Sequence, residues 1–116
     1  MNIYYHNPRC SKSRQGLQLL DELGIKYTVK EYLKEPLKES ELQTLMQKLG
    51  KSPKEIIRTK EDIYKEQGLA NKDLTDKQWI QTIIKHPKLL ERPILETKTK
   101  AIIGRPPEDL KKILSK

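Results

Sequence analysis

Cysteine is almost missing from this sequence, with Cys10 the only one. A single thiol excludes an internal disulfide, and with only two histidines it argues against a structural zinc site, so no metal is expected. Phenylalanine is absent, and one tryptophan and five tyrosines are the whole aromatic complement. No basic-aromatic ribonucleoprotein-like motif and no block of about five or six like charges occurs. The net charge of +8 therefore reads as a solvated basic surface, or an attraction for small anions, and argues against a nucleic-acid partner. No apolar run approaches the ~20 residues that span a bilayer. The start Met1-Asn2-Ile3-Tyr4-Tyr5 lacks the basic region and long apolar run of a signal peptide. No membrane association and a reducing cytoplasmic location are expected.

What is present is enough for one domain. The 116 residues are 34% hydrophobic and 34% charged, which calls for a compact core under a heavily ionised surface. There is no internal repeat, low-complexity segment or linker. Nothing demands a dimer, and a monomer is the default.

Ile3 to Tyr5 reads as a short buried strand, followed by a His6-Asn7-Pro8 turn. Leu17, Leu20 and Leu23 recur at helical spacing with Leu19 beside them, and Gly24 stops that helix. Tyr27 to Tyr32 reads as a second strand, with Tyr27 and Val29 alternating against Thr28 and Lys30, at a length that suits parallel pairing. The middle is helical. Ser40-x-x-Gln43 predicts a capping box ahead of the stripe Leu42, Leu45, Met46 and Leu49, which Gly50 ends. Ser52-Pro53-Lys54-Glu55 starts a short helix that carries Ile56 and Ile57 inward and delivers Arg58 near its end. A further helix is expected over roughly Lys60 to Gln67. Thr75-x-x-Gln78 opens another, with Trp79, Ile80, Ile83 and Ile84 on its inner face and Pro87 beyond its end. His86 reads as a helix-end residue without a catalytic role. Arg92 to Glu96 and Ala101 to Ile103 flank the polar turn Thr97-Lys98-Thr99-Lys100 and predict an antiparallel hairpin, although no glycine supports a tight turn. A terminal helix carries Leu110, Ile113 and Leu114. The order is β-α-β, a helical block, then β-β-α.

Cys10 sits where the first strand hands over to the first helix. A thiol there meets the unpaired N–H groups of the first helical turn, and those groups with the helix dipole favour a thiolate and can hold an anion. His6, Arg9, Lys12 and Arg14 add positive potential nearby. Ser11 reads as a helix cap, and Ser13 as a hydrogen-bond donor to the thiolate. Bland readings stand beside these: a buried filler cysteine, a turn histidine bonded to backbone, capping or solvated serines, and an exposed Arg14.

The run His6-Asn7-Pro8-Arg9-Cys10-Ser11-Lys12-Ser13-Arg14 resembles the signature of the glutaredoxin-coupled arsenate reductase family. Tyr32-Leu33-Lys34-Glu35-Pro36, Ile57-Arg58, Glu91-Arg92-Pro93-Ile94 and Ile103-Gly104-Arg105-Pro106-Pro107-Glu108 resemble further segments of that family, in order and nearly end to end. The resemblance implies an α/β thioredoxin-like fold, β-α-β then β-β-α, as a single domain over residues 1–116 with a helical insertion at about 38–88. It implies Cys10 as the nucleophile towards arsenate, and His6, Ser13 and Arg14 as supports for the thiolate. Arg58, Arg92 and Arg105 are implied as oxyanion ligands, and Pro93 as a cis-proline facing the cysteine. Glutathione is the implied co-substrate and glutaredoxin the implied partner, with no bound cofactor. Arginine suits an oxyanion because its planar fork stays charged and donates to two oxygens at once. Taken singly, Arg58 could complement a helix dipole, Arg92 could be an ordinary loop residue, and Arg105 could pair with Glu108 or Asp109.

Two other functions compete. Redox-responsive regulators that bind RNA polymerase share this fold, but they commonly carry Cys-x-x-Cys where this chain has Ser13. A monothiol enzyme acting on glutathione mixed disulfides needs only Cys-x-x-Ser.

Overall fold

The computed structural model describes residues 2–113. The chain divides into two compact units, one of residues 1–35 with 92–116 and one of Pro36–Glu91.

In the first unit, strand β1 (Ile3–Tyr5) leads through the turn at Cys10 into helix α1 (Ser11–Glu22), and the chain returns as β2 (Thr28–Lys30). The hairpin β3 (Ile94–Glu96) and β4 (Ala101–Ile103) completes a sheet of order β2-β1-β3-β4. β1 and β2 pair in parallel, as a helical crossover requires, while β1–β3 and β3–β4 are antiparallel. The fully buried Tyr4, Leu20, Leu95 and Leu110 form the core, with Leu17, Leu19, Ile25, Tyr27 and Ile102 against it. Gly16 permits a close approach there: a Cβ on it would collide with the Tyr4 hydroxyl. That hydroxyl instead donates to the Ser13 carbonyl at 2.6 Å and ties β1 to α1.

Four expectations for this unit need correction. Leu23, expected in the apolar stripe of α1, is its C-terminal cap and is 45% exposed. β2 is three residues long and lies at the sheet edge, so Val29 is 38% exposed and the inward alternation fails. The hairpin turn manages without glycine because Thr97 Oγ1 accepts from the Lys100 N–H at 3.0 Å while Thr97 N–H donates to the Lys100 carbonyl at 2.7 Å. The terminal helix is a 3-10 turn over Pro107–Ile113, with Leu110 fully buried. Leu114 and the side chain of Ile113 lie outside what is described.

The second unit carries helices α2 (Glu39–Leu49), α3 (Asp62–Glu66) and α4 (Asp76–Lys85), with 3-10 turns at Pro53–Ile56, Leu69–Asn71 and Pro87–Leu89. α4 starts as its sequence implies: Gln78 N–H donates to Thr75 Oγ1, and Thr75 N–H donates to Gln78 Oε1. Its buried face is Trp79, Ile80 and Ile83, while Ile84 is only half-buried. The box that opens α2 lies two residues earlier than expected, with Lys38 at the N-cap, and Lys38 N–H donates to Glu41 Oε1 at 2.8 Å. A carboxylate is the stronger acceptor, so Glu41 takes the role expected of Gln43. The Ser52–Glu55 box forms, yet it opens a single 3-10 turn that buries Ile56 and Ile57. α3 is shorter than the expected span at both ends.

Candidate functional site

Cross-strand register gathers the candidate residues. Tyr5 at the end of β1 pairs with Ile94, and Ile94 pairs with Ile103. Continuing the antiparallel register outwards, Gly104 N–H donates to the Pro93 carbonyl at 2.8 Å, and Arg105 comes opposite Arg92. The turn that leaves β1 towards Cys10 therefore emerges at the same sheet end as both arginines. A Cβ on Gly104 would lie 3.1 Å from the Pro93 ring and 2.9 Å from Leu110, so glycine lets that proline sit close. The Arg92–Pro93 and Arg105–Pro106 peptide bonds are cis.

Cys10 occupies the N-cap of α1 in extended conformation (φ −92°, ψ 121°), a place usually held by serine, threonine or aspartate. Ser11, expected as the cap, is instead the first helical residue. The Cys10 N–H donates to the Asn7 carbonyl at 3.0 Å, and the Cys10 carbonyl accepts from Arg14 N–H at 3.0 Å. The next N–H groups have no intrahelical acceptor, and no acidic residue sits in the first turn to offset them. Burial raises the pKa of the half-buried thiol. The backbone N–H of Ser13, the hydrogen bond and charge of Arg92 and the backbone N–H of Lys12 outweigh that, and hold it below the ordinary value. Arg105 Nη1 lies 3.9 Å from the sulfur and donates to the Arg92 carbonyl at 3.0 Å.

The supporting residues divide. Ser13 is fully buried, and its hydroxyl lies 2.8 Å from His6 Nδ1 and accepts from the Asn7 N–H at 3.0 Å. The expected hydroxyl bond to sulfur is replaced by the Ser13 main-chain N–H. Burial, with Arg14 nearby, pushes the His6 pKa below 6.5 against the opposing pull of Glu31, so the ring is neutral at pH 7. Arg14 is exposed and donates to the Pro8 carbonyl at 2.8 Å, bracing the turn. Arg58 belongs to the second unit, where its main-chain N–H donates to the Leu89 carbonyl at 2.7 Å. Its guanidinium meets Glu61 at 3.2 Å and Glu91 at 2.9 Å; burial depresses its pKa but the two carboxylates more than reverse this.

Sequence reasoning named Asn7 without giving it a role. It is 7% exposed and bonds through its N–H, its carbonyl and its side-chain oxygen. Asparagine before proline is a turn initiator, and that signal was available. Chemically, the assembly can hold a thiolate beside two guanidinium groups at a solvent-accessible helix end.

A model of the ArsC family matches residues 5–113. An uncharacterised Escherichia coli K12 protein, YfgD, is 48% identical over 95% of this chain and 93% of its own. An arsenate reductase of Neisseria meningitidis serogroup A is 47% identical, covering 95% of each chain. The solved structure of an arsenate reductase from Vibrio cholerae superposes with a TM-score of 0.91 at 42% identity, over 97% of this chain and 96% of that one.

Proposed function

The chain belongs to the ArsC family, with its thioredoxin-like fold, and from that footing we propose that it reduces arsenate to arsenite through the Cys10 thiolate. The observation that carries this reading is the sulfur at the open end of α1, 3.9 Å from Arg105 and stabilised by Arg92. Arsenate is a tetrahedral oxyanion that repels an incoming thiolate until its charge is neutralised. Arg92 and Arg105 supply that neutralisation and the bidentate donors. For Arg58 as a further oxyanion ligand, and for Pro93 facing the sulfur, the support is the family resemblance of their segments.

In the proposed reaction, Cys10 sulfur bonds to arsenic as an arsenate oxygen takes up a proton and departs as water. The sulfur of glutathione then bonds to the Cys10 sulfur as its thiol proton passes to an arsenic-bound oxygen, and the electron pair of the sulfur–arsenic bond goes to arsenic. Arsenic falls from the pentavalent to the trivalent state and leaves as arsenite, with Cys10 in a mixed disulfide with glutathione. A second cysteine would resolve that disulfide internally, but Cys10 is the only one in the chain. An external thiol must therefore do so, and glutaredoxin is the proposed agent, taking the glutathione and returning the Cys10 thiol.

Purified protein with glutathione and glutaredoxin is expected to convert arsenate to arsenite, and Cys10→Ser to abolish the conversion. No arsenite above background, together with firm binding to RNA polymerase, would overturn the enzyme reading in favour of a regulator. Turnover of a glutathionylated test substrate far exceeding that of arsenate would instead identify a monothiol exchange enzyme.

A further inference from the structure

We propose that Asn7 is a positioning residue whose side chain holds the Asn7–Cys10 turn closed and thereby aims the Cys10 sulfur at the first turn of α1. The inference rests on the reading of Cys10 as the reacting thiol and extends it to a residue that touches no reacting atom. Asn7 Oδ1 accepts from the Arg9 N–H at 3.0 Å, the Asn7 carbonyl accepts from the Cys10 N–H at 3.0 Å, and the Asn7 N–H reaches the buried Ser13 hydroxyl at 3.0 Å. Pro8 has no N–H to offer, so Arg9 carries the only main-chain donor at the tip. Pro8 and Arg9 are both exposed, so the tip is held by hydrogen bonds, from Arg9 N–H to Asn7 Oδ1 and from Arg14 to the Pro8 carbonyl, and not by packing. Of the three bonds only the one to Oδ1 depends on the side chain, and it closes the turn inwards as an Asx motif. With the turn closed, Cys10 takes the N-cap conformation, and its sulfur lies by the Lys12 and Ser13 N–H groups.

Other groups also act on this sulfur and must be held constant. Arg92 and Arg105 come from the hairpin, the Lys12 and Ser13 N–H groups from the first turn of α1, and the Tyr4 hydroxyl from β1. Substitutions at Asn7 change none of these charges, provided the new residue is neutral.

The test is the pH profile of Cys10 alkylation by iodoacetamide, in the wild type, Asn7→Ala and Asn7→Ser. Asn7→Ala is expected to move the titration midpoint upwards and to slow alkylation at mildly acidic pH roughly tenfold, the change that one titration unit produces. Asn7→Ser keeps a short oxygen acceptor and is expected to recover most of that loss. A role confined to stability would lower the urea midpoint yet leave the alkylation profile in place. A wild-type profile in Asn7→Ala, or equal displacement in both variants, would overturn the proposal. Should Asn7→Ala fail to fold, Asn7→Ser decides alone: a profile near that of wild type supports the inference, and one matching an unstructured thiol refutes it. Alkylation uses neither arsenate nor glutathione, so the two readings fail separately. A high wild-type midpoint sinks the reacting thiolate itself, whereas a low one unmoved by Asn7→Ala sinks only the role of Asn7.

Discussion

Replacing Arg105 by glutamine removes a positive charge 3.9 Å from the Cys10 sulfur and leaves a shorter, neutral polar side chain. Two unit charges about 4 Å apart interact by about 1 kcal/mol in water and about 4 kcal/mol at an effective dielectric constant near 20. Arg105 is exposed and Cys10 half-buried, so the interaction belongs near the lower figure, about 1–2 kcal/mol. At about 1.4 kcal/mol per factor of ten, the thiolate population below the titration midpoint falls roughly 5- to 30-fold. Iodoacetamide alkylation at low ionic strength reads this directly, because only the thiolate reacts. Added salt should narrow the gap between wild type and Arg105→Gln, since the pair is accessible to counterions. Arg105→Lys, which keeps the charge, should restore most of the rate. An alkylation rate for Arg105→Gln within twofold of wild type at low salt would refute the claim that this guanidinium acts on the sulfur.

Two further outcomes follow from the packing and the titration of the same unit. Gly16→Ala places a methyl against the Tyr4 hydroxyl and 3.0 Å from Leu110 Cδ1, and should lower stability by about 1–3 kcal/mol in urea unfolding. Made in a Tyr4→Phe background the same change should cost less, because the opposing oxygen is gone; an equal cost in both backgrounds would contradict the contact. His6 is held neutral, with its folded pKa below 6.5, so below that pH the unfolded chain takes up a proton that the folded protein resists. Stability should therefore fall as pH drops below 6.5 and level off beneath the folded pKa, and His6→Gln should lack that slope; an identical acid slope in both proteins would refute the assignment.

Much of the fold was legible because its signals are local. The Thr75–Gln78 box, the glycine stop after α1 and the apolar faces of α1 and α4, apart from exposed Leu23 and half-buried Ile84, each depend on side chains a few residues apart. Misreadings arose where two local signals competed or where a neighbour decided. Glu41 outbid Gln43 because an ionised acceptor binds an N–H more strongly than an amide does. Val29 faces out because β2 lies at a sheet edge, which alternation alone does not reveal. In the candidate site, the helix-end placement of Cys10 was legible from Pro8 and the start of the leucine stripe. The meeting of Arg92 with Arg105 was not, since it depends on register. Pairing Ile94 with Ile103 and Tyr5 with Ile94 sets both arginines beside the Cys10 turn, and a shift of one residue would have moved them apart. The Ser13 hydroxyl was read towards sulfur, but burial and the Asn7 N–H drew it towards His6.

The central claim is that the folded protein favours the thiolate form of Cys10. Ultraviolet absorbance of the thiolate, followed across pH as the difference between wild type and Cys10→Ser, measures it most directly. A midpoint clearly below the 9.0 of an unperturbed thiol is expected. A midpoint at or above that value would mean that burial outweighs the helix N–H groups and Arg92, and would contradict the proposed chemistry at its first step.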